Sequence, residues 1–271
     1  LFGLLAISTA GCRAFPTREI TSLPNEHFLQ ADVFRISSSS PIPEADPLAR
    51  ELVELRATVQ ATLHLTGPIR PIDIYVFDNR ARYERFIETN YPNLPRRRAF
   101  FMAKDHRAVV YAFKDDKLIE DLRHEACHAL LHSAAGAVPL WLDEGLAEYF
   151  ESPAETGGLH PRHVGALQES LRQGWRPSLT RLESLTQLPQ MSARDYREAW
   201  AWVYWLIHDV PGGRQILVDY LTDLSSTRSR GPLSDRVFAA SPRPDVALVS
   251  LISQLECPII TTSASASSQQ P

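Results

Sequence analysis

Five residues in the middle of the chain, His124-Glu125-Ala126-Cys127-His128, set two imidazoles four positions apart with a carboxylate beside the first. On a helix, positions i and i+4 share a face, so both rings can reach one metal ion. The glutamate projects beside that face, where it can hold a water without taking a coordination position. No Pro or Gly interrupts Leu118 to Ser133, and Leu118, Leu122, Cys127, Leu130 and Leu131 give the helix a buried side. Cys127 faces away from the histidines and reads as a small apolar residue, not a ligand. The third ligand should be an acid or a histidine on a following element. Gly136 and Pro139 supply a break that lets a second helix fold back, and Glu144, sixteen residues after His128, stands on it. His132 continues the series, but it lies about 12 Å from His124 along the axis, too far to share one ion. Its expected place is beside the site or in solvent. Three protein ligands leave a fourth position for water, which distinguishes catalytic sites from filled structural ones.

The motif sits in LIEDLRHEACHALLHSAAGAVPLWLDEGLAEYFE, residues 118–151. HExxH followed by WLxEGxAE resembles the gluzincin metallopeptidases, and the preceding order of extended segments and helices is similar to their small bacterial peptidase MA-like domains. The resemblance implies that His124, His128 and Glu144 bind Zn2+, that Glu125 is the general base, and that Glu148 steadies a ligand histidine from behind. The connection from His128 to Glu144 is a few residues shorter than in aminopeptidase N-type members. Downstream, Tyr196-Arg197-Glu198-Ala199-Trp200 opens an apolar helix ending before Pro211-Gly212-Gly213. The same superfamily places a tyrosine at the start of such a helix, which makes the Tyr196 phenol a donor to the developing oxyanion; the alternative is a tyrosine that only packs. Trp200, Trp202, Tyr204 and Trp205 read as core. The implied activity is zinc-dependent hydrolysis of a peptide or protein substrate. A zincin-like module that binds or assembles at the cell envelope without catalysis is the competing expectation.

These residues need elements to position them. Asp115 or Asp116 caps the motif helix. Ile72 to Phe77, Ala99 to Ala103 and Ala108 to Phe113 read as strands, the last two joined by Lys104-Asp105-His106-Arg107. The strand Ala108 to Phe113, or its partner, is expected to offer an edge to substrate backbone. An extended segment runs from His27 to Ile36. Asp46 and Pro47 open a helix whose Leu48, Leu52, Leu55, Val59 and Leu63 form one apolar stripe, and Arg80 to Thr89 forms a shorter one. Beyond Pro153 the spacing is helical to about Glu256. The expected architecture is α+β: one catalytic domain over residues 26–256, with sheet and motif helix to about 152 and a helical lobe over 153–256.

The chain has 271 residues, a formal net charge of −4 and a pI near 6.2, which argues against a nucleic-acid binder. Arg96-Arg97-Arg98, its densest basic cluster, reads as a solvated loop. Three cysteines make no disulfide framework. Residues 1–11, LFGLLAISTAG, directly precede Cys12 and resemble the end of a bacterial lipoprotein signal. That resemblance implies lipidation of Cys12, a linker over residues 12–25 and a protein tethered at the bacterial cell envelope, with the membrane met by the lipid anchor only. Residues 257–271 read as a disordered tail.

Overall fold

A computed structural model describes residues 22–41, 47–65, 67–104, 107–226 and 231–256. The signal remnant, Cys12, most of the linker and the C-terminal tail lie outside the described residues. The chain forms a mixed α+β structure with a small five-stranded mixed sheet followed by helices.

The sheet consists of β1 (His27–Ala31), β2 (Phe34–Ser38), β3 (Ile72–Phe77), β4 (Phe100–Lys104) and β5 (Arg107–Phe113), in spatial order β1-β2-β3-β5-β4. β1–β2 and β4–β5 are antiparallel, whereas β3 is parallel to both β2 and β5. The expected single extended segment from His27 to Ile36 is therefore a hairpin. Its turn is possible because Asp32 takes a left-handed conformation, φ 55°, which aspartate tolerates better than most residues.

β3 and β5 bury both faces and so read as nearly continuous apolar runs. Ile72, Ile74, Val76, Ala108, Val110 and Ala112 join the main core with helices α1 (Pro47–Leu63) and α3 (Leu118–Ala135). Phe77, Val109, Tyr111 and Phe113 face the other way, against Tyr83, Phe86 and Ile87 of α2 (Arg80–Asn90). β5 thus lies between β3 and β4, and β4 carries the free edge beside the motif helix.

Helix α4 (Leu140–Glu151) folds back along α3 after Gly136, whose φ of 76° reverses the chain. The lobe beyond contains α5 (Pro161–Arg172), α6 (Leu179–Glu183), α7 (Ala193–His208), α8 (Gly213–Leu224), α9 (Leu233–Ala240) and α10 (Pro244–Gln254). α4 and α7 pack closely because Gly145 has no side chain: a Cβ there would lie 2.7 Å from the Ala199 carbonyl oxygen. Trp141 of α4 and Trp200, Trp202 and Trp205 of α7 are fully buried. At ~25 cal/mol per Å2 and ~150–250 Å2 per ring, each contributes up to about 4–6 kcal/mol. The core reading of the three α7 tryptophans thus matches their burial, and the rings lock together the helices that carry Glu144 and Tyr196.

Candidate metal centre

The apolar side of α3 fixes its rotation on the sheet, so His124, Glu125 and His128 point toward α4 and the β4 edge. The His124 and His128 rings stand 4.9 Å apart, nearly perpendicular. Glu144, only 3% exposed, enters from α4, with its Oε2 3.4 Å from His124 Nε2 and 3.7 Å from His128 Nε2. That oxygen is buried and not aligned as a hydrogen-bond acceptor to any group. An orphaned carboxylate oxygen facing two ring nitrogens is costly unless a cation shares the space. Ligands ~2.1 Å from a tetrahedral ion stand about 3.4 Å apart, so the separations fit a metal ion. The structure brings together the three expected ligands, His124, His128 and Glu144, as a group that could hold one.

The other ring nitrogens are held by carboxylates. His124 Nδ1 lies 3.1 Å from Glu151 Oε2. His128 Nδ1 is 3.0 Å from Asp143 Oδ1, at ion-pair distance but bent away from hydrogen-bond alignment. Such partners orient ligand rings and raise their basicity. Burial pulls His124 toward neutrality, yet Glu144 and Glu151 outweigh it and hold the ring's pKa well above its ordinary value. The same contest, with Asp143 opposing burial, raises His128. Glu144 is lowered: burial opposes its charge, but His124 and His128 prevail. The pocket favours positive charge, which protons on the two rings can supply.

Glu148 stands near His124, its carboxylate and that of Glu151 both within 4.8 Å of a ring nitrogen and its charge helping to raise the ring's pKa, but it makes no hydrogen bond to that ring. Its Oε2 meets His163 Nε2 at 2.7 Å, and the carboxylate behind His124 is Glu151. Helical phase explains the difference: at 100° per residue, Glu151 returns to within about 20° of Glu144, while Glu148 is about 40° off on the other side. α4 runs antiparallel to α3, so Asp143 falls beside His128 and His132, and Glu151 beside His124. His132 bonds Asp143 Oδ2 at 3.0 Å and packs against Phe101, ring centroids 5.3 Å apart.

Glu148, His160 and His163 also come within metal-binding reach of one another. Here the imidazoles are stacked, 3.7 Å apart and 10° from parallel, so their lone pairs lie in separate planes and do not converge on one ion. His160 instead meets Glu151 Oε1 at 3.1 Å, and the stacked pair buttresses Glu148 and Glu151 of α4.

Three further groups complete the site, none of them marked by a sequence motif. Arg123, 1% exposed, donates to the carbonyls of Phe150, Glu151 and Ser152 and to Glu51 Oε2, fastening the end of α4 that carries Glu151. Phe101 N–H donates to Glu125 Oε2 at 2.7 Å, which ties this carboxylate to the edge strand; the other Glu125 oxygen makes no hydrogen bond among the described residues. Arg97 Nη2 donates to the Tyr196 hydroxyl at 3.0 Å. The expected solvated loop at Arg96 to Arg98 is therefore corrected: Arg96 is exposed and pairs with Glu88, Arg97 points into the cleft, and Arg98 bonds Asp115 and Asp121.

Tyr196 lies in the first turn of α7. That turn is anchored where Ser192 N–H and hydroxyl both donate to Asp195 Oδ2, at 2.7 and 2.8 Å. Arg181 then bridges Asp195 and the fully buried Glu198, each at 2.6 Å. Burial raises the pKa of the Tyr196 phenol, Glu144 adds to this, and Arg97 opposes it. The phenol stays neutral, and it lies close enough to Glu144 for that carboxylate's charge to act on it.

Fold and site together define an α+β protein with a two-histidine, one-carboxylate centre able to hold a metal ion, and an unliganded glutamate beside it. Residues 118–233, less than half of the chain, match the family described as "Protein of unknown function (DUF1570)". The match runs from the first residue of α3 to the start of α9 and so contains the whole centre. Comparison with curated proteins gives no match.

Proposed function

We propose that the protein is a zinc-dependent metallopeptidase of zincin-like, gluzincin type, acting on peptide or protein substrates. The observation that carries the reading is the buried Glu144 Oε2, without an aligned hydrogen bond, set between the Nε2 atoms of His124 and His128, with Glu125 next to His124 on α3. His124, His128 and Glu144 would hold Zn2+, which when bound supplies Lewis acidity toward a water and a peptide carbonyl.

The chain's own groups do the rest. The free oxygen of Glu125 accepts a proton from the attacking water and later returns it to the departing amine. The Phe101 N–H keeps that carboxylate turned toward the cleft. Tyr196 donates its hydroxyl proton in a hydrogen bond to the carbonyl oxygen as negative charge develops. β4, the edge strand beside the centre, offers backbone groups along which an extended peptide aligns.

Residues 1–11 and Cys12 support the further proposal of an exported protein tethered by lipid at the bacterial cell envelope. No helix of the described residues is long and apolar enough to cross a membrane.

Glu125→Gln tests the reading. Zinc content should match the parent while peptide hydrolysis falls about 10²–10⁴-fold. A variant that cleaves as fast as its parent refutes Glu125 as the base. If the parent takes up zinc but releases no products from a diverse peptide library, the binding-module reading replaces this one.

A further inference from the structure

A cleft of about 340 Å3 beside the centre is lined by Arg97, Arg98, His124, Glu125, Glu148 and Glu151 among others. Nearly every charged group there has a partner among the described residues. Arg98 meets Asp115 and Asp121, Glu148 meets His163, Glu151 meets His124 and His160, and Glu125 accepts from a backbone N–H. Arg97 is different: its guanidinium, half-buried, makes one hydrogen bond, to the neutral oxygen of Tyr196, and no ion pair among the described residues. Five N–H donors serving a single neutral acceptor leave a strong demand for negative charge. Glu144 and Glu125 act on Arg97 through their charge, but Glu144 is directed at the metal centre, and Glu125 loses its charge when it takes a proton.

The contact also constrains Tyr196. Its oxygen accepts from Arg97, so its single proton must be donated elsewhere. Accepting a hydrogen bond from a cation polarises the hydroxyl and makes it a better donor. The two groups come from different parts of the chain, Arg97 from the segment before β4 and Tyr196 from the start of α7; they meet where Arg97 lines the cleft, and Glu144 and His124 lie close enough to act on the phenol.

We propose that Arg97 is a catalytic residue which, together with Tyr196, forms a two-donor site for the oxyanion of the attacked peptide carbonyl. This rests on the peptidase reading. In the step served, the water oxygen bonds to the carbonyl carbon, the carbonyl π pair moves onto oxygen, and the water's proton passes to Glu125. The new charge lies on that oxygen, which Arg97 and Tyr196 then hold. Arginine suits this position because its planar fork can serve the phenol and the oxyanion together, which a lysine ammonium does poorly.

The test is calorimetric binding of N-phosphoryl-leucyl dipeptides, whose tetrahedral phosphoryl oxygens mimic the oxyanion, to zinc-loaded protein. The probe is used with a free and with an amidated C-terminus, and zinc content is measured in each sample. The parent should bind both forms. Arg97→Met should weaken both about 10–100-fold at unchanged zinc content, as expected for a lost charge-assisted bond. Arg97→Lys should recover part of the loss, and Tyr196→Phe should weaken both forms too. Failure of the parent to bind overturns the proposal, as does an Arg97→Met variant that binds like the parent. A loss confined to the free-carboxylate probe assigns Arg97 to a substrate C-terminus and overturns the oxyanion role. The peptidase reading fails separately, on an absence of library cleavage by the parent.

Discussion

Replacing Glu151, and not Glu148, should loosen the metal centre. Glu151 Oε2 lies 3.1 Å from His124 Nδ1 and Oε1 3.1 Å from His160 Nε2. Burial opposes its charge, but the two histidines hold its pKa down to about 2, so it acts on His124 as a full anion at any working pH. Losing such a partner behind a ligand typically weakens metal binding 10–100-fold, about 1.4–2.8 kcal/mol. Glu151→Gln keeps an acceptor oxygen for Nδ1–H but removes the charge, so its effect should fall near tenfold. Glu151→Ala removes both and should approach a hundredfold. The Arg123 contact is to the Glu151 backbone carbonyl and survives either change, so the end of α4 stays fastened. Glu148→Gln, which loses a bond to His163 and none to a ligand ring, should change affinity less than about threefold. Zinc competition against a chromophoric chelator at neutral pH measures all three. A larger loss from Glu148→Gln than from Glu151→Gln, or no loss from Glu151→Ala, would refute the geometry described.

Asp121, at the rim of the same cleft, has a pKa pushed up from 3.8 to about 6 by burial, with Arg98 opposing. Between about pH 4 and pH 6 the native state therefore holds a proton that the unfolded chain has released, so stability falls as pH rises through that window, by at most about 3 kcal/mol. Urea midpoints across the range should show this slope in the parent and a flatter profile in Asp121→Asn; equal slopes would dismiss the buried carboxyl as its source. Gly145→Ala forces a Cβ to within 2.7 Å of the Ala199 carbonyl and should cost about 1–3 kcal/mol through overpacking. An unchanged denaturation midpoint would mean that α4 and α7 are not in the close contact described.

The parts of the centre that were legible in the sequence rest on local geometry and a marked chain reversal. HExxH fixes two side chains on one face through local geometry alone, and the glycine and proline after it announce the fold-back that brings in Glu144. The strands β3 and β5 were readable from β-branched and aromatic runs, and α1 from its leucine stripe. What escaped depends on how separate elements cross. Glu148 sits one turn from Glu144 and seemed the natural supporting acid, but the antiparallel course of α4 along α3 decides that Glu151 serves His124 and Asp143 serves His128. Arg97 carries no periodicity, because it lies on a loop whose course is set by the sheet edge. Arg123 is one charge among several at the start of its helix, and only tertiary packing places it over three carbonyls. The hairpin at Asp32 was hidden because no glycine or Asn-Gly pair marks a residue that nonetheless takes positive φ.

His124, His128 and Glu144 are expected to grip one ion together. An anomalous-difference map from crystals of the zinc-loaded protein, recorded at the zinc edge, tests it most directly. One peak is expected about 2.0–2.2 Å from His124 Nε2, His128 Nε2 and a Glu144 carboxylate oxygen. No peak at that point, or full occupancy beside Glu148, His160 and His163 instead, would contradict it.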